Sequence, residues 1–302
     1  MKRETILVTG SSGLIGTAVC AHLKARGYGV RRFDIADQHG GYGDIRVASD
    51  LDAAVTGCTG VVHFAAVSRV IWGQRDPRIC HETNAIGTRT LVDRLRSSTL
   101  RPWLILGSSR EVYGQARDLP VSERHPLQPM NHYARSKLQA EQAVMQARDA
   151  GLRAAVLRFS TVYGTVADHA DRVIPAFCRA AVGGHPLRVE GAMNALDITH
   201  VTDVAACIAK LADRLAEGFS FQPMHLTTGH GTTLSELAQT IVRLAQSDSE
   251  ILTTAPRDFD VTTFIGDPGL AEVQIGWHPQ VALETGLRDL IGQFQQAQSL
   301  VA

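Results

Sequence analysis

The apolar run Ile6-Leu7-Val8 leads directly into Thr9-Gly10-Ser11-Ser12-Gly13-Leu14-Ile15-Gly16, and the stretch from Leu14 to Arg26 is amphipathic. This pattern reads as a short buried strand, a tight turn and a helix. Positions without a Cβ at Gly10, Gly13 and Gly16 let the turn close and let an anion approach the backbone. The first helical amides, those of Leu14 and Ile15 among them, and the positive end of the helix dipole then face that anion. The spacing is G-x-x-G-x-x-G rather than G-x-G-x-x-G, so the loop needs its context to be informative. A second strand expected over Val30–Phe33 ends in Asp34. An acid at that strand end accepts hydrogen bonds from the ribose hydroxyls of a dinucleotide and repels a 2′-phosphate. NAD is therefore expected rather than NADP, in spite of Arg31 and Arg32 just before Asp34.

Beyond this unit, short apolar runs alternate with helical patterns. Val61–Phe64, Trp103–Leu106 and Ala154–Leu157 are further strand candidates, and Leu91–Leu95 and Tyr133–Gln146 lie in amphipathic stretches. Such alternation implies βαβ units with right-handed crossovers, hence an α/β fold built on a doubly wound parallel sheet. With 302 residues, 44% hydrophobic and 20% charged, the chain has enough material for a sizeable core. Thirty basic residues balance thirty acidic ones, which leaves no electrostatic footprint for nucleic acid or an anionic membrane. No apolar run is long enough to span a bilayer. The start, Met1-Lys2-Arg3-Glu4, runs into the first strand without the pattern of a signal peptide. Cys20, Cys58, Cys80, Cys178 and Cys207 are scattered without C-x-x-C spacing, as in a reduced cytoplasmic protein. The histidines show no H-E-x-x-H spacing, and no metal site is expected.

A second constellation lies in mid-chain. Tyr133 and Lys137 are four residues apart in a helical stretch, hence on one face. Ser109 ends the apolar run Leu104-Ile105-Leu106-Gly107-Ser108, and the carboxyl ends of parallel strands are where open α/β sheets bind ligands. A lysine ammonium near the phenol and the positive nicotinamide ring would both lower the phenol pKa. Serine, tyrosine and lysine together with a dinucleotide loop suit proton transfer coupled to hydride transfer on a hydroxyl-bearing substrate.

These residues resemble the extended short-chain dehydrogenase/reductases, in their nucleotide-sugar epimerase and dehydratase branch. The resemblance runs the length of the chain. It includes Gly10/Gly13/Gly16 and Asp34. Asp44 and Ile45 match the segment that holds the adenine. His63-Phe64-Ala65-Ala66 matches the strand under the pyrophosphate, and Asn84-Ala85-Ile86-Gly87-Thr88 the helix with the family asparagine. Ser108 through Gly114, Tyr133-x-x-x-Lys137, Leu157 through Gly164, Asp197 through Val204 and Gly276-Trp277-His278-Pro279 follow the family pattern. The resemblance implies a Rossmann-type NAD domain over 1–164 and 196–221. A smaller, interleaved substrate domain would take 165–195 and 222–302. It also implies a homodimer formed by two helices of each subunit, roughly Asn84–Arg96 and Tyr133–Gln146, with Leu91, Leu95, Leu138 and Val144 either outward or facing the protein's own sheet.

The resemblance assigns Tyr133 as the group that takes the proton of a sugar hydroxyl, Ser109 as its partner on the same oxygen, and Lys137 as the group that holds the nicotinamide ribose. Dehydratases of the family carry Thr-Asp-Glu before Val-Tyr-Gly, and their aspartate protonates the leaving hydroxyl. Here that position is Arg110, whose guanidinium cannot act as the acid. Glu111 keeps the base position, either as a base or as a hydrogen-bonding group. Arg110 either binds a substrate carboxylate or pairs with Glu111. Leu196 replaces an arginine that helps hold the diphosphate, at a position decarboxylases use in catalysis. Thr161 replaces the family asparagine. Arg257, in Arg257-x-x-Asp260, matches an arginine that clamps the diphosphate. The leading expectation is an NAD-dependent 4-epimerase of a nucleotide-sugar, a UDP-sugar first. A sugar dehydrogenase or keto-sugar reductase comes second, and a non-catalytic NAD-binding sensor third.

Overall fold

The structure, a computed structural model, describes residues 4–38, 40–259 and 261–300. Met1, Lys2 and Arg3 of the chain start and Asp260 of the Arg257-x-x-Asp260 segment lie outside the described residues. Each of the five apolar runs forms a strand: β1 (Thr5–Thr9), β2 (Gly29–Phe33), β3 (Gly60–His63), β4 (Trp103–Ser109) and β5 (Ala154–Phe159). Between them lie α1 (Leu14–Ala25), α2 (Ala48–Val55), α3 (Val70–Arg75), α4 (Pro77–His81), α5 (Gly87–Ser97) and α6 (His132–Asp149). The later chain adds β6 (Thr161–Tyr163), α7 (Val173–Val182), β7 (Leu187–Glu190), β8 (Ala195–His200), α8 (Val201–Ala216) and β9 (Met224–Leu226). It closes with β10 (Gly231–Thr233), α9 (Leu234–Ala245), β11 (Ile251–Thr254), β12 (Thr263–Phe264), α10 (Gly269–Ile275) and α11 (Leu283–Ser299).

Six parallel strands form the main sheet in the order β2-β1-β3-β4-β5-β9. Every residue of β3, β4 and β5 is buried, as a sheet covered on both faces requires. One face packs on α1, α8 and α10 through Val19, Leu23, Val204, Ile208 and Ala271. The other packs on α2, α5 and α6 through Leu51, Leu91, Leu95 and Val144. Leu91, Leu95 and Val144 therefore serve the protein's own core and are not outward positions. Leu138 packs on a smaller cluster with Val112 and Phe264. Apolar residues at helical spacing mark a buried face, and the sheet was the nearer surface to bury it.

A second body of structure gathers around β8, which pairs with β6, β10 and β12, and around the β7–β11 pair. Its core joins α7, α9 and α11 through Phe177, Leu237, Ile241 and Leu290. A capping box at Thr233 and Glu236 starts α9. The expected boundary at Gln222 requires correction. Met224–Leu226 adds the sixth strand to the main sheet, and Ala271, Ile275 and Trp277 pack in the same core as Ile6 and Val8. Asp203 explains the tie: its carboxylate accepts the amides of Gln280 and Val281, and its carbonyl accepts the Trp277 indole N–H. Among the described residues no helix is long and apolar enough to cross a membrane.

Candidate functional site

The sheet order reverses between β1 and β3, and the crevice beyond their carboxyl ends is the ligand position of open α/β sheets. Backbone contacts there leave no room for side chains. Gly10 has φ +69°, and a Cβ on it would lie 2.6 Å from the Phe64 carbonyl carbon; a Cβ on Gly16 would lie 2.1 Å from the Gly10 oxygen. Gly13 is different, since the nearest atom to its Cβ would be at an ordinary 3.5 Å. It is the N-cap of α1 and supplies no capping side chain, so the leading amides of the helix meet no side-chain acceptor. A pyrophosphate fits this cradle. Asp34 follows β2 and accepts the Ser12 and Ala36 amides, each at 2.9 Å, which keeps its carboxylate at the rim of the crevice. Arg31 turns away and donates to the carbonyls of Ala54 and Thr56 at the end of α2. Arg32 turns inward, but its Nε is held 2.6 Å from the buried Asp37. Asp44 is paired with Arg46 at 2.6 Å, and Ile45 is buried beneath α5.

A hydrogen-bonded chain joins these strand ends. Thr9 Oγ1 accepts the amides of Phe64 and Ala65, so its one proton goes to His63 Nδ1 at 2.6 Å. Nε2 of His63 then donates to Thr88 Oγ1 at 2.9 Å, and Thr88 donates to the Asn84 carbonyl. Burial, with the Lys137 charge nearby, holds His63 down at about 3, so the ring stays neutral. Asn84 sits in a π-helical turn, Glu82–Ile86, and its amide clamps both backbone groups of Val67 and the Ser136 hydroxyl. It thereby links the loop after β3 to α6, one turn from Tyr133.

Tyr133 and Lys137 lie on the buried face of α6, which starts at Asn131, whose side chain caps the Ala134 amide. Ser109 ends β4; its hydroxyl accepts the Glu111 amide and lies beside the Tyr133 phenol. Lys137 Nζ donates to the Gly107 carbonyl at 2.9 Å. Burial dominates and pushes Tyr133 up to about 12, against the Ser109 hydroxyl beside it, while burial pulls Lys137 down to about 8. Behind them, Glu141 pairs with Arg158 at 2.7 Å and accepts the Ser108 hydroxyl, which fixes α6 against β4 and β5. Glu111 is buried, accepts from Asn131 at 3.2 Å and lies 3.4 Å from the Arg110 guanidinium.

These groups open into a cleft of about 690 Å³, within the usual size of a small-molecule site. Ile15, Ala66, Ser109, Arg110, Tyr133 and Lys137 line it, as do Thr161, Leu196 and Arg257 from the second body. Arg257 pairs with Glu190 at 3.5 Å and covers the Phe259 ring. Gly10, Gly13, Asp34, Asp44 and Ile45 lie outside the cleft, toward the β1–β2 edge of the sheet. Sequence reasoning missed Arg69, Asp168, Asp171 and Arg172, which line the cleft and form two ion pairs, the long-range Arg69–Asp171 and the local Arg172–Asp168. It also missed β7, whose alternation Leu187-Arg188-Val189-Glu190 was a usable signal for Arg188 and Glu190 on the cleft side. Among the described residues no group of three or more His, Cys, Asp or Glu side chains is placed to hold a metal ion.

The NAD dependent epimerase/dehydratase family model matches residues 6–225. A UDP-glucose 4-epimerase of Rhizobium meliloti is 30% identical over 94% of this chain and 94% of its own length. A dTDP-glucose 4,6-dehydratase of Mycobacterium tuberculosis is 31% identical over 97% of this chain and 94% of its own. The crystal structure of UDP-glucose 4-epimerase from Brucella ovis in complex with NAD superposes with a TM-score of 0.87 at 28% identity, covering 97% of this chain and 98% of the other.

Proposed function

The chain belongs to the NAD-dependent epimerase/dehydratase family, and within it we propose a nucleotide-sugar 4-epimerase acting on UDP-sugars. The observation that carries this reading is the phenol of Tyr133, beside Ser109 at the head of a cleft, next to a position where dehydration would need an acid and Arg110 stands instead. A guanidinium keeps its proton at any working pH, so it cannot protonate a leaving hydroxyl.

Bound NAD supplies the hydride acceptor and donor. Tyr133 takes the proton of the C4 hydroxyl and returns it to the ketone oxygen, and Ser109 holds that oxygen through both transfers. Lys137, fixed on the same helix face, holds the nicotinamide ribose and offsets the cost of the phenolate in a buried site. Gly10, Gly13 and Gly16 with the amides of Leu14 and Ile15 receive the pyrophosphate, Asp34 the adenosine ribose, and Asp44 and Ile45 the adenine. Ala65 and Ala66 form the floor, and Asn84 acts as a positioning residue. Glu111 and Thr161 face the sugar. Arg257 grips the diphosphate, which is the pivot about which the keto-sugar turns its other face, and the half-exposed Glu190 partner does not block it.

The protein should keep NAD through purification and need none added. With UDP-galactose it should produce UDP-glucose with only a small, transient rise in NADH absorbance. Stoichiometric NADH with a released keto-sugar would replace the reading with a dehydrogenase. Binding of NAD with no turnover of any UDP-sugar would replace it with a sensor. The proposed assembly is a homodimer through the solvent faces of α5 and α6, which carry Arg89, Asp93, Arg96 and Gln139. Light scattering that gives a monomer mass at micromolar concentration rejects it. A cytoplasmic location is proposed from five free, buried cysteines, which need no oxidising compartment.

A further inference from the structure

Three successive turns of α6 meet β4. Tyr133 lies beside Ser109, Lys137 Nζ donates to the Gly107 carbonyl at 2.9 Å, and Glu141 Oε1 accepts the Ser108 hydroxyl at 2.5 Å. Side chains four apart stand above one another on a helix face, so the contacts of Lys137 and Glu141 decide where along β4 the phenol comes to rest. The lysine is the weaker guide, since its ammonium ends a flexible four-carbon stem. Glu141 is the firmer one. Ser108, Glu141 and Arg158 are 4%, 2% and 4% exposed. Arg158 Nε lies 3.0 Å from Glu141 Oε1 and Nη2 2.7 Å from Oε2, a two-pronged pair that fixes the plane of the carboxylate. Arg158 is held in turn, because its Nη1 donates to the Tyr113 hydroxyl at 2.6 Å and that hydroxyl donates to His225 Nε2 at 2.6 Å. Tyr113 closes the short 3₁₀ turn, Arg110–Tyr113, that carries Glu111. One buried carboxylate therefore joins the strand that ends in Ser109, the helix that carries Tyr133 and Lys137, and β5. Ser108 lines the cleft, whereas Glu141 and Arg158 stand behind it.

We propose that Ser108, Glu141 and Arg158 form a positioning group for the proton transfer: they set α6 at the height on β4 at which the Tyr133 phenol meets the Ser109 hydroxyl. None of the three exchanges a proton with the sugar. A buried ion pair adds little net stability over apolar side chains of the same volume, and what it adds here is a defined register. Ala140 and Val144 already bury α6 against the sheet, and apolar packing tolerates a slide that a two-pronged pair does not. A displacement of about 1 Å at the reacting atoms can cost ~10²-fold in rate. The proposal rests on the reading of Tyr133 as the proton acceptor of a UDP-sugar epimerase.

The test follows turnover of UDP-galactose by the NAD-bound protein across pH. Ser108→Ala removes the hydroxyl given to Glu141 and leaves the ion pair whole. Its kcat should fall at least ~10-fold, as for a misplaced rather than a missing proton acceptor. KM should stay within about 3-fold of wild type, because the groups that bind the sugar are untouched. The Ser109 hydroxyl lowers the Tyr133 pKa, so a phenol drawn away from it is protonated at higher pH. Activity is lost as the phenolate is protonated, and the acid limb of kcat should therefore move to higher pH. Ser108→Thr keeps the hydroxyl and should restore both. Glu141→Gln keeps the shape without the charge, behind the cleft and away from the sugar. It should show the same loss and the same shift, and it decides the question if Ser108→Ala does not fold. A wild-type kcat and acid limb in either folded variant, with only a lower melting temperature, would show a purely structural pair and overturn the proposal. Full turnover in Tyr133→Phe overturns the proton-acceptor reading instead, and the proposal with it.

Discussion

The proposed dinucleotide crevice and the proposed sugar cleft are neighbours built on opposite principles. The crevice is made of backbone: Gly10 and Gly16 sit where a Cβ would meet main-chain atoms at 2.6 and 2.1 Å. The cleft is made of side-chain pairs, two of them local, Arg110 with Glu111 and Arg172 with Asp168, and two between distant segments, Arg69 with Asp171 and Arg257 with Glu190. A backbone site tolerates almost no change at its glycines and binds a constant ligand. A paired-charge site can be re-cut one pair at a time, which suits the part of the molecule that decides the substrate.

The largest expected effect lies where the two regions meet. Tyr133→Phe removes the proposed proton acceptor and should lower turnover at least ~10²-fold, the usual scale for a general base. NAD retention should be unaltered, because the phenol belongs to the sugar side. Turnover within a few-fold of wild type would assign the proton transfer to another group. On the crevice side, Gly16→Ala should cost roughly 1–3 kcal/mol in chemical denaturation, from overpacking against the Gly10 carbonyl. It should also release NAD on purification. Wild-type stability and full NAD content in that variant would mean that the turn has slack the contacts do not show. On the cleft side, Arg257→Ala should weaken UDP-sugar binding by only about 1 kcal/mol, because the guanidinium is 45% exposed and already shares Glu190. Its NAD affinity should not move. A loss of several kcal/mol by calorimetry would show that the pair is desolvated when substrate binds.

A further effect is a slope. His63 is held down at about 3 and His225 at about 4, both by burial first, against 6.5 for an ordinary imidazole. Below pH 6.5 the unfolded chain takes up protons that these two folded-state rings refuse. The contribution of each is fully present above pH 6.5 and declines as the pH falls toward 4, at up to about 1.4 kcal/mol per pH unit. His225→Gln should flatten the stability profile between pH 6.5 and 4.5 relative to wild type. An unchanged slope would mean that the ring is already charged in the folded protein.

The same contrast explains what could be read in advance. Parallel strands covered on both faces are largely apolar, so β1, β3, β4 and β5 stood out as short runs, while the edge strand β2, with Arg31 and Arg32, was marked by its place before Asp34. The glycine turn stood out because backbone clashes admit no other residue at Gly10 or Gly16. Ser109, Tyr133 and Lys137 lie within 29 residues on one strand end and one helix face, so their spacing carried them. Asp168, Arg172 and Arg69 lie in stretches with no period, and only the folded chain brings Asp171 to Arg69 across 102 positions. Tyr133 illustrates a different limit. Its neighbours could be named, but the burial that outweighs them and lifts the phenol to about 12 is a property of the packed structure. Leu91, Leu95 and Val144 had the spacing of a buried face, and spacing does not say which surface covers it.

The central claim is that C4 of a UDP-sugar is oxidised and reduced again within one binding event, with Tyr133 carrying the proton and the resident NAD the hydride. It is tested most directly by incubating the purified protein, with no cofactor added, with UDP-glucose deuterated at C4 and following the product by proton NMR. The account predicts UDP-galactose that keeps the deuterium at C4, with no NADH or keto-sugar released to solution. Appearance of a free 4-keto sugar with stoichiometric NADH, or of UDP-galactose carrying solvent hydrogen at C4, would contradict it.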